Sequence, residues 1–187
     1  MKKILPSLMA VALLLSLCAC GSSPATSSVD ASSAAVSASE TAATQEFTDS
    51  LGRTITLPAD IQKVAVSGPL AQIYLFALCP DKLVGVSNAW DETAKAYLDE
   101  KYASLPELGQ LYGGKGELNL ETLLSSGAEV VIDVGEPKKS AAEDLDALQQ
   151  QTGIPFIHVT ATLATSGDAY RMLGSVLGMP EQAEELA

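Results

Sequence analysis

The sequence is short of positive charge. Its 187 residues hold 11 lysines and arginines against 23 aspartates and glutamates, a formal net charge of −12. That balance excludes a sequence-independent nucleic-acid binder, which needs a basic surface to displace counterions. Histidine is scarcer still, with His158 the only one. A tight transition-metal site needs several His or Cys ligands, so metal chemistry is poorly supported. His158 sits inside the apolar run Phe156-Ile157-His158-Val159 and reads as a core or edge histidine. A Ser–His triad built on it would need unusual geometry, and no Gly-x-Ser-x-Gly elbow occurs. The expectation is therefore a non-enzyme. Nucleotide fingerprints are missing as well. Gly113-Gly114-Lys115-Gly116 has the spacing of neither a P-loop nor a dinucleotide motif, and reads as a flexible Gly-rich loop. No cofactor is expected.

Cysteine is rare and two of the three lie at the N-terminus. Lys2 and Lys3 precede a mostly apolar run from Ile4 to Leu17, too short to span a bilayer comfortably and right for a signal peptide. The run ends in Leu17-Cys18-Ala19-Cys20-Gly21, which resembles a bacterial lipobox with cleavage before Cys20 and lipid on its thiol. Residues 1–19 form the expected signal, and Cys20 the anchor to the outer face of the cell membrane. Residues 1–19 hold two lysines and no acid, so the remainder has 9 basic and 23 acidic residues, a formal charge of −14. Cys79 is left without a partner and reads as a buried structural thiol.

Residues 20–46 read as a tether. Ser22 to Gln45 contains 8 Ser, 7 Ala and 3 Thr and no aromatic residue. Such a segment buries too little apolar area to offset its ordering entropy. A globular unit is expected over 47–178, opening with a hairpin from Phe47 to Pro58. Strands follow at 63–67, 83–86, 130–132 and 155–159, with helices at 69–78, 91–102, 138–151 and 165–177 between or after them. Asn119 caps a short helix, and Thr165 with Asp168 resembles a capping box. Unalternating apolar strands interleaved with helices predict an α/β fold: a Rossmann-like parallel sheet covered by helices on both faces.

Right-handed crossovers place all strand C-terminal ends on one edge, where open α/β sheets bind ligands. The loops on that edge supply the candidate ligand-binding residues: Ser67, Pro69, Asn88, Trp90, Tyr112, Lys115, Glu136 and Thr160. Trp90 and Tyr112 suit a large, flat or partly apolar ligand.

Several segments, in order, resemble one family. Phe47-Thr48-Asp49-Ser50-Leu51-Gly52-Arg53-Thr54-Ile55-Thr56-Leu57-Pro58 looks like the opening "tDxxGRxvtlP" hairpin of the solute-binding proteins of ferric-siderophore, haem and cobalamin ABC importers. Lys63-Val64-Ala65-Val66 and Lys82-Leu83-Val84-Gly85-Val86-Ser87 resemble its first two strands. Leu118-Asn119-Leu120-Glu121-Thr122-Leu123-Leu124 with Ala128-Glu129-Val130-Val131-Ile132 resembles "NlEkllaLkPDlVi", with Gly127-Ala128-Glu129 in place of Lys-Pro-Asp. Thr152-Gly153-Ile154-Pro155 resembles "lgiPv". The resemblance implies two α/β lobes joined by one rigid helix with ligand between them, and no catalysis. It implies an iron-siderophore or related haem or cobalamin ligand, and an ABC permease and ATPase as partners. Glu121 would be the permease-docking acid. Residues 179–187 look like the start of the linking helix, so the chain reads as an N-terminal lobe without its second lobe. The alternatives are a metal-ion solute-binding protein, or a surface interaction lipoprotein that reuses the lobe without transport.

Overall fold

A computed structural model describes residues 43–113 and 117–187. The signal segment, Cys20, the tether as far as Ala42, and Lys115 lie outside the described residues.

Alternation builds the first element pair. β1 (Thr44–Thr48) and β2 (Thr54–Pro58) pair antiparallel, Phe47 opposite Ile55. In β2, Ile55 and Leu57 are buried while Thr54 and Thr56 are exposed, the period of two expected of a half-buried strand. β1 begins at Thr44, within the segment whose composition reads as tether. Gln45 is held there because its Nε2 donates to the carbonyls of Pro58 (3.0 Å) and Val176 (3.3 Å).

The turn between these strands explains the Asp-x-x-Gly-Arg pattern. Asp49 Oδ1 accepts from the backbone N–H groups of Leu51 and Arg53, both at 3.0 Å. Its Oδ2 accepts from Arg53 Nη2 (2.6 Å) and Nε (3.1 Å). Gly52 takes the left-handed conformation the turn needs, with φ +78°.

The core sheet holds β3 (Val64–Val66), β4 (Val130–Gly135) and β5 (Phe156–Thr160), parallel and in that spatial order. Val66 lies opposite Ile132, and Ile132 opposite Ile157. β3 and β4 are buried throughout, as a sheet covered on both faces requires. The hairpin turn docks on the outer side of β5. There Asp49 Oδ2 accepts from His158 N (3.2 Å), Ser50 N donates to His158 O (3.0 Å), and Arg53 Nη2 donates to Phe156 O (2.9 Å). Ser50 Oγ accepts from Thr160 N (3.0 Å), and Gln149 Oε1 from Phe156 N (3.2 Å).

The expected strand at 83–86 does not form. This segment makes one parallel bridge to β3, Val64 with Leu83, and then a second one elsewhere, Val86 with Glu107. Its hydrogen bonds are divided accordingly. Val84 N donates to Val64 O (3.0 Å), while Val86 N donates to Pro106 O (2.9 Å). Gly85 permits the divergence, since a Cβ there would meet Leu108 at 2.6 Å.

Helices fill the crossovers. α1 (Pro69–Leu78) buries Ala71, Tyr74, Leu75 and Leu78 against β3 and β4. The single helix expected at 91–102 is instead two short ones, α2 (Glu92–Lys95) and α3 (Glu100–Ala103). Neither buries a residue, so no apolar stripe pays the cost of propagating a longer helix. Asp91 caps α2, accepting from Ala94 N at 2.7 Å. α4 (Leu120–Ser125) is capped by Asn119, which accepts from Thr122 N at 3.0 Å. α5 (Ala141–Thr152) and α6 (Ser166–Leu177) end at Gly153 and Gly178, both left-handed. The expected Thr165–Asp168 capping box is absent: Thr165 Oγ1 accepts from Thr162 N, and Asp168 pairs with Arg171. α7 (Pro180–Leu186) packs on α6, where Gly174 makes room for Ala183. Tyr74 of α1 stacks on Tyr170 of α6, ring centroids 4.7 Å apart.

Candidate binding cleft

The chain winds from β3 through α1 to the 83–86 segment on one side, and returns through α4 to β4 on the other. Winding therefore reverses between β3 and β4. In an open α/β sheet the crevice outside the strand ends at such a reversal is where ligands bind. An open cavity of about 660 Å³ lies there. It is lined by the residues that follow β3 (Ser67 to Ala71), by Asp133 to Glu136 at the end of β4, and by Ala161 to Ala164 after β5. Tyr112 and Lys138 complete the wall. Two apolar side chains at its mouth are solvent-exposed, Leu70 at 42% and Leu163 at 103%.

A polar row crosses the end of the sheet. Ser67, Asp133 and His158 follow one another across β3, β4 and β5, and Asp133 lies opposite His158 in the register. Ser67 Oγ donates to Asp133 Oδ1, and His158 Nδ1 lies 2.7 Å from Asp133 Oδ2. A carboxylate only accepts, so the shared proton belongs on Nδ1. His158 is 1% exposed and its Nε2 is buried without a hydrogen-bond partner.

Four of the sequence-predicted residues meet at this cavity: Ser67, Pro69, Tyr112 and Glu136. The Tyr112 hydroxyl donates to Asp144 Oδ2 at 3.1 Å, and Lys138 Nζ lies 5.9 Å from its ring centre. Burial, reinforced by the Asp144 carboxylate, pushes the Tyr112 hydroxyl well above its ordinary pKa. Thr160 stands just outside, its backbone N–H bound to Ser50, while its neighbours Ala161 and Thr162 line the wall. Asn88 and Trp90 are not among the lining residues. Asn88 Nδ2 donates to Ser87 Oγ (3.1 Å). Trp90 belongs to an aromatic cluster: it packs edge-on against Phe76 at 5.1 Å, Phe76 against Tyr102 at 5.4 Å, and its Nε1 donates to Tyr102 O. Glu121 is exposed in the first turn of α4, outside the lining of the cavity. The sequence reading missed Asp133 and Lys138. Asp133 left a signal, a charged residue inside Val130-Val131-Ile132-Asp133-Val134, a run that otherwise reads as buried strand. Among the described residues no group of three or more His, Cys, Asp or Glu side chains could hold a metal ion, and no helix is long and apolar enough to cross a membrane.

No protein-family model matches the chain, and no curated protein matches it by sequence. Solved structures do match. An ABC transporter solute binding protein from Sulfurospirillum deleyianum is similar over 75% of this chain and 44% of its own, at 24% identity and a TM-score of 0.64. The molybdate periplasmic binding protein MolA of a Haemophilus influenzae ABC transporter, bound to molybdate, covers 75% of this chain and 48% of its own, at 17% identity and a TM-score of 0.57. SirA of Staphylococcus aureus, complexed with staphyloferrin B, covers 75% and 44%, at 19% identity and a TM-score of 0.54. At these identities the likeness is one of fold. The chain has the α/β fold of part of a periplasmic solute-binding protein, and spans just under half the length of the chains it matches.

Proposed function

We propose that this chain is the N-terminal lobe of an extracytoplasmic solute-binding protein of an ABC importer. It is anchored to the cell membrane by lipid on Cys20 and hands a ferric siderophore, or a related haem or cobalamin ligand, to a permease and its ATPase. The observation that carries this reading is the open cavity at the winding reversal, set in a fold shared with solute-binding proteins. Its volume of about 660 Å³ is that of a small-molecule cleft. Leu70, Leu163 and Tyr112 offer apolar and aromatic contact. Within this reading Glu121 is the docking acid, because it is exposed and placed away from the cleft. Trp90 and Asn88 have a supporting rather than a ligand-lining role.

The test is equilibrium dialysis of the chain against a ferric hydroxamate, a ferric catecholate, haem and cobalamin. Saturable binding of one of them supports the reading. Retention of none overturns the proposed ligand group.

A further inference from the structure

We infer that the cleft recognises a protonated amine on its ligand, with the Asp133 carboxylate as the acceptor. This rests on the reading of the cavity as a ligand cleft, and deepens it by naming the ligand chemistry.

Asp133 is only 8% exposed, yet it lines the cavity. Burying a carboxylate is costly unless its charge is met. Here it is met only in part. Each oxygen receives one hydrogen bond, from Ser67 Oγ and from His158 Nδ1. An ionised carboxylate has about four acceptor positions, so two stay open. Among the described residues no lysine or arginine is paired with it. Arg53 is committed to Asp49 and Asp146, and Arg171 to Asp168 and Glu184. Lys138 stands over the Tyr112 ring. The floor of the cleft thus presents a carboxyl group with acceptor positions still open and, among the described residues, no lysine or arginine on it.

Its position is fixed rather than adaptable. Ser67 and His158 hold it from the two flanking strands, and His158 is itself pinned through its backbone N–H to Asp49 and its carbonyl to Ser50. Such preorganisation lowers the cost of binding a donor. An ammonium group brings three N–H donors and the opposite charge. The lining also carries Glu136 and Lys138, one side chain of each sign, so Asp133 sets the balance among the described lining residues. Leu70 and Leu163 at the mouth would line the path of an aliphatic arm carrying the amine. A multiply anionic chelate meets the reverse of all this, in a chain whose overall charge is already strongly acidic.

The test compares a ferric trihydroxamate carrying a free terminal amine with its N-acetylated form, on the full chain at neutral pH. The amine form should bind about tenfold more tightly, a preference that a single well-placed charge pair supplies. In Asp133→Asn the preference for the amine form should vanish. Equal wild-type affinity for the two forms overturns the inference and leaves the proposed function standing. That comparison needs no variant, so it holds even if Asp133→Asn fails to fold. If neither chelate binds, hydroxamates drop out of the proposed ligand group, and a backbone NMR titration of wild type with 1,5-diaminopentane decides the inference by itself. Saturable shifts at the Ser67, Asp133 and Gly135 amides sustain it, and unmoved amides overturn it.

Discussion

At the scale of single residues, Asp49 is among the most heavily committed side chains of the described residues. It accepts from Leu51 N, from Arg53 N, Nε and Nη2, and from His158 N. Its carboxylate is fully buried and that of its partner Arg53 only 11% exposed. Truncating it removes one of the two carboxylates paired with the Arg53 guanidinium and takes the acceptor from the backbone N–H groups of Leu51, Arg53 and His158. Asp49→Ala should lower the free energy of unfolding by about 3–5 kcal/mol. Urea denaturation measures this, and a loss under about 1 kcal/mol would show the pair to be incidental. Cys79 makes the second residue-scale case. Burial raises its thiol from 9.0 to about 12, with Lys82 acting weakly the other way. Between those values the unfolded chain releases the proton and the folded chain retains it. The contribution of Cys79 to stability is therefore whole below pH 9 and is lost as pH rises towards 12. In the folded protein Cys79 should resist thiol reagents at neutral pH and react once the chain unfolds, and the alkaline loss of stability should be shallower in Cys79→Ala. Rapid labelling of Cys79 in the folded chain, read by peptide mass spectrometry, would contradict the burial.

At the scale of elements, α6 and α7 meet through a missing side chain. A Cβ on Gly174 would sit 2.3 Å from Ala183 Cβ and 2.9 Å from Met179 O. Neither obstacle is the loose end of a flexible chain. Gly174→Ala should therefore cost about 1–3 kcal/mol and displace α7. The Arg171–Glu184 pair, exposed on both sides, is too weak to hold it in place. Faster amide exchange confined to α7 is the expected signature, and unchanged exchange would refute the packing role. Elements with a strong apolar pattern were readable from the sequence. α1 runs from Pro69 to Leu78 as its composition predicts, and β4 and β5 follow their apolar runs. Elements that depend on distant partners were not. Leu83 to Val86 is as apolar as a strand, but Gly85 lets Leu108 come close and divides its hydrogen bonds between two neighbours. The stretch from Asp91 to Tyr102 has helical residues but no stripe that the core covers. The site was half legible for the same reason. Strand-end loops can be located by pattern, which brought in Ser67, Pro69, Tyr112 and Glu136. The row Ser67–Asp133–His158 exists only through strand register, which a single sequence does not reveal. Trp90 has the composition of a ligand contact, but Phe76 and Tyr102 offered it a packed site.

At the scale of the whole molecule, the proposed ligand cleft and the proposed docking acid occupy different places. The cleft lies at the ends of β3, β4 and β5, and Glu121 projects from the first turn of α4. Glu121→Ala should leave ligand affinity unchanged and reduce transport severalfold in cells. Undiminished uptake would remove the docking role, and weakened ligand affinity would place Glu121 in the wrong part of the molecule. One last consequence follows from the hairpin turn. β5 is the last strand of its sheet, and such a strand ordinarily offers a free row of backbone groups to any passing chain. Here that row is taken. Phe156 N and O, His158 N and O, and Thr160 N are bound by Gln149, Arg53, Asp49 and Ser50. A tight turn and a few side chains therefore stand in for a neighbouring strand. The open side of the sheet is closed to edge-to-edge polymerisation, and the residues that close it are those of the Asp-x-x-Gly-Arg turn.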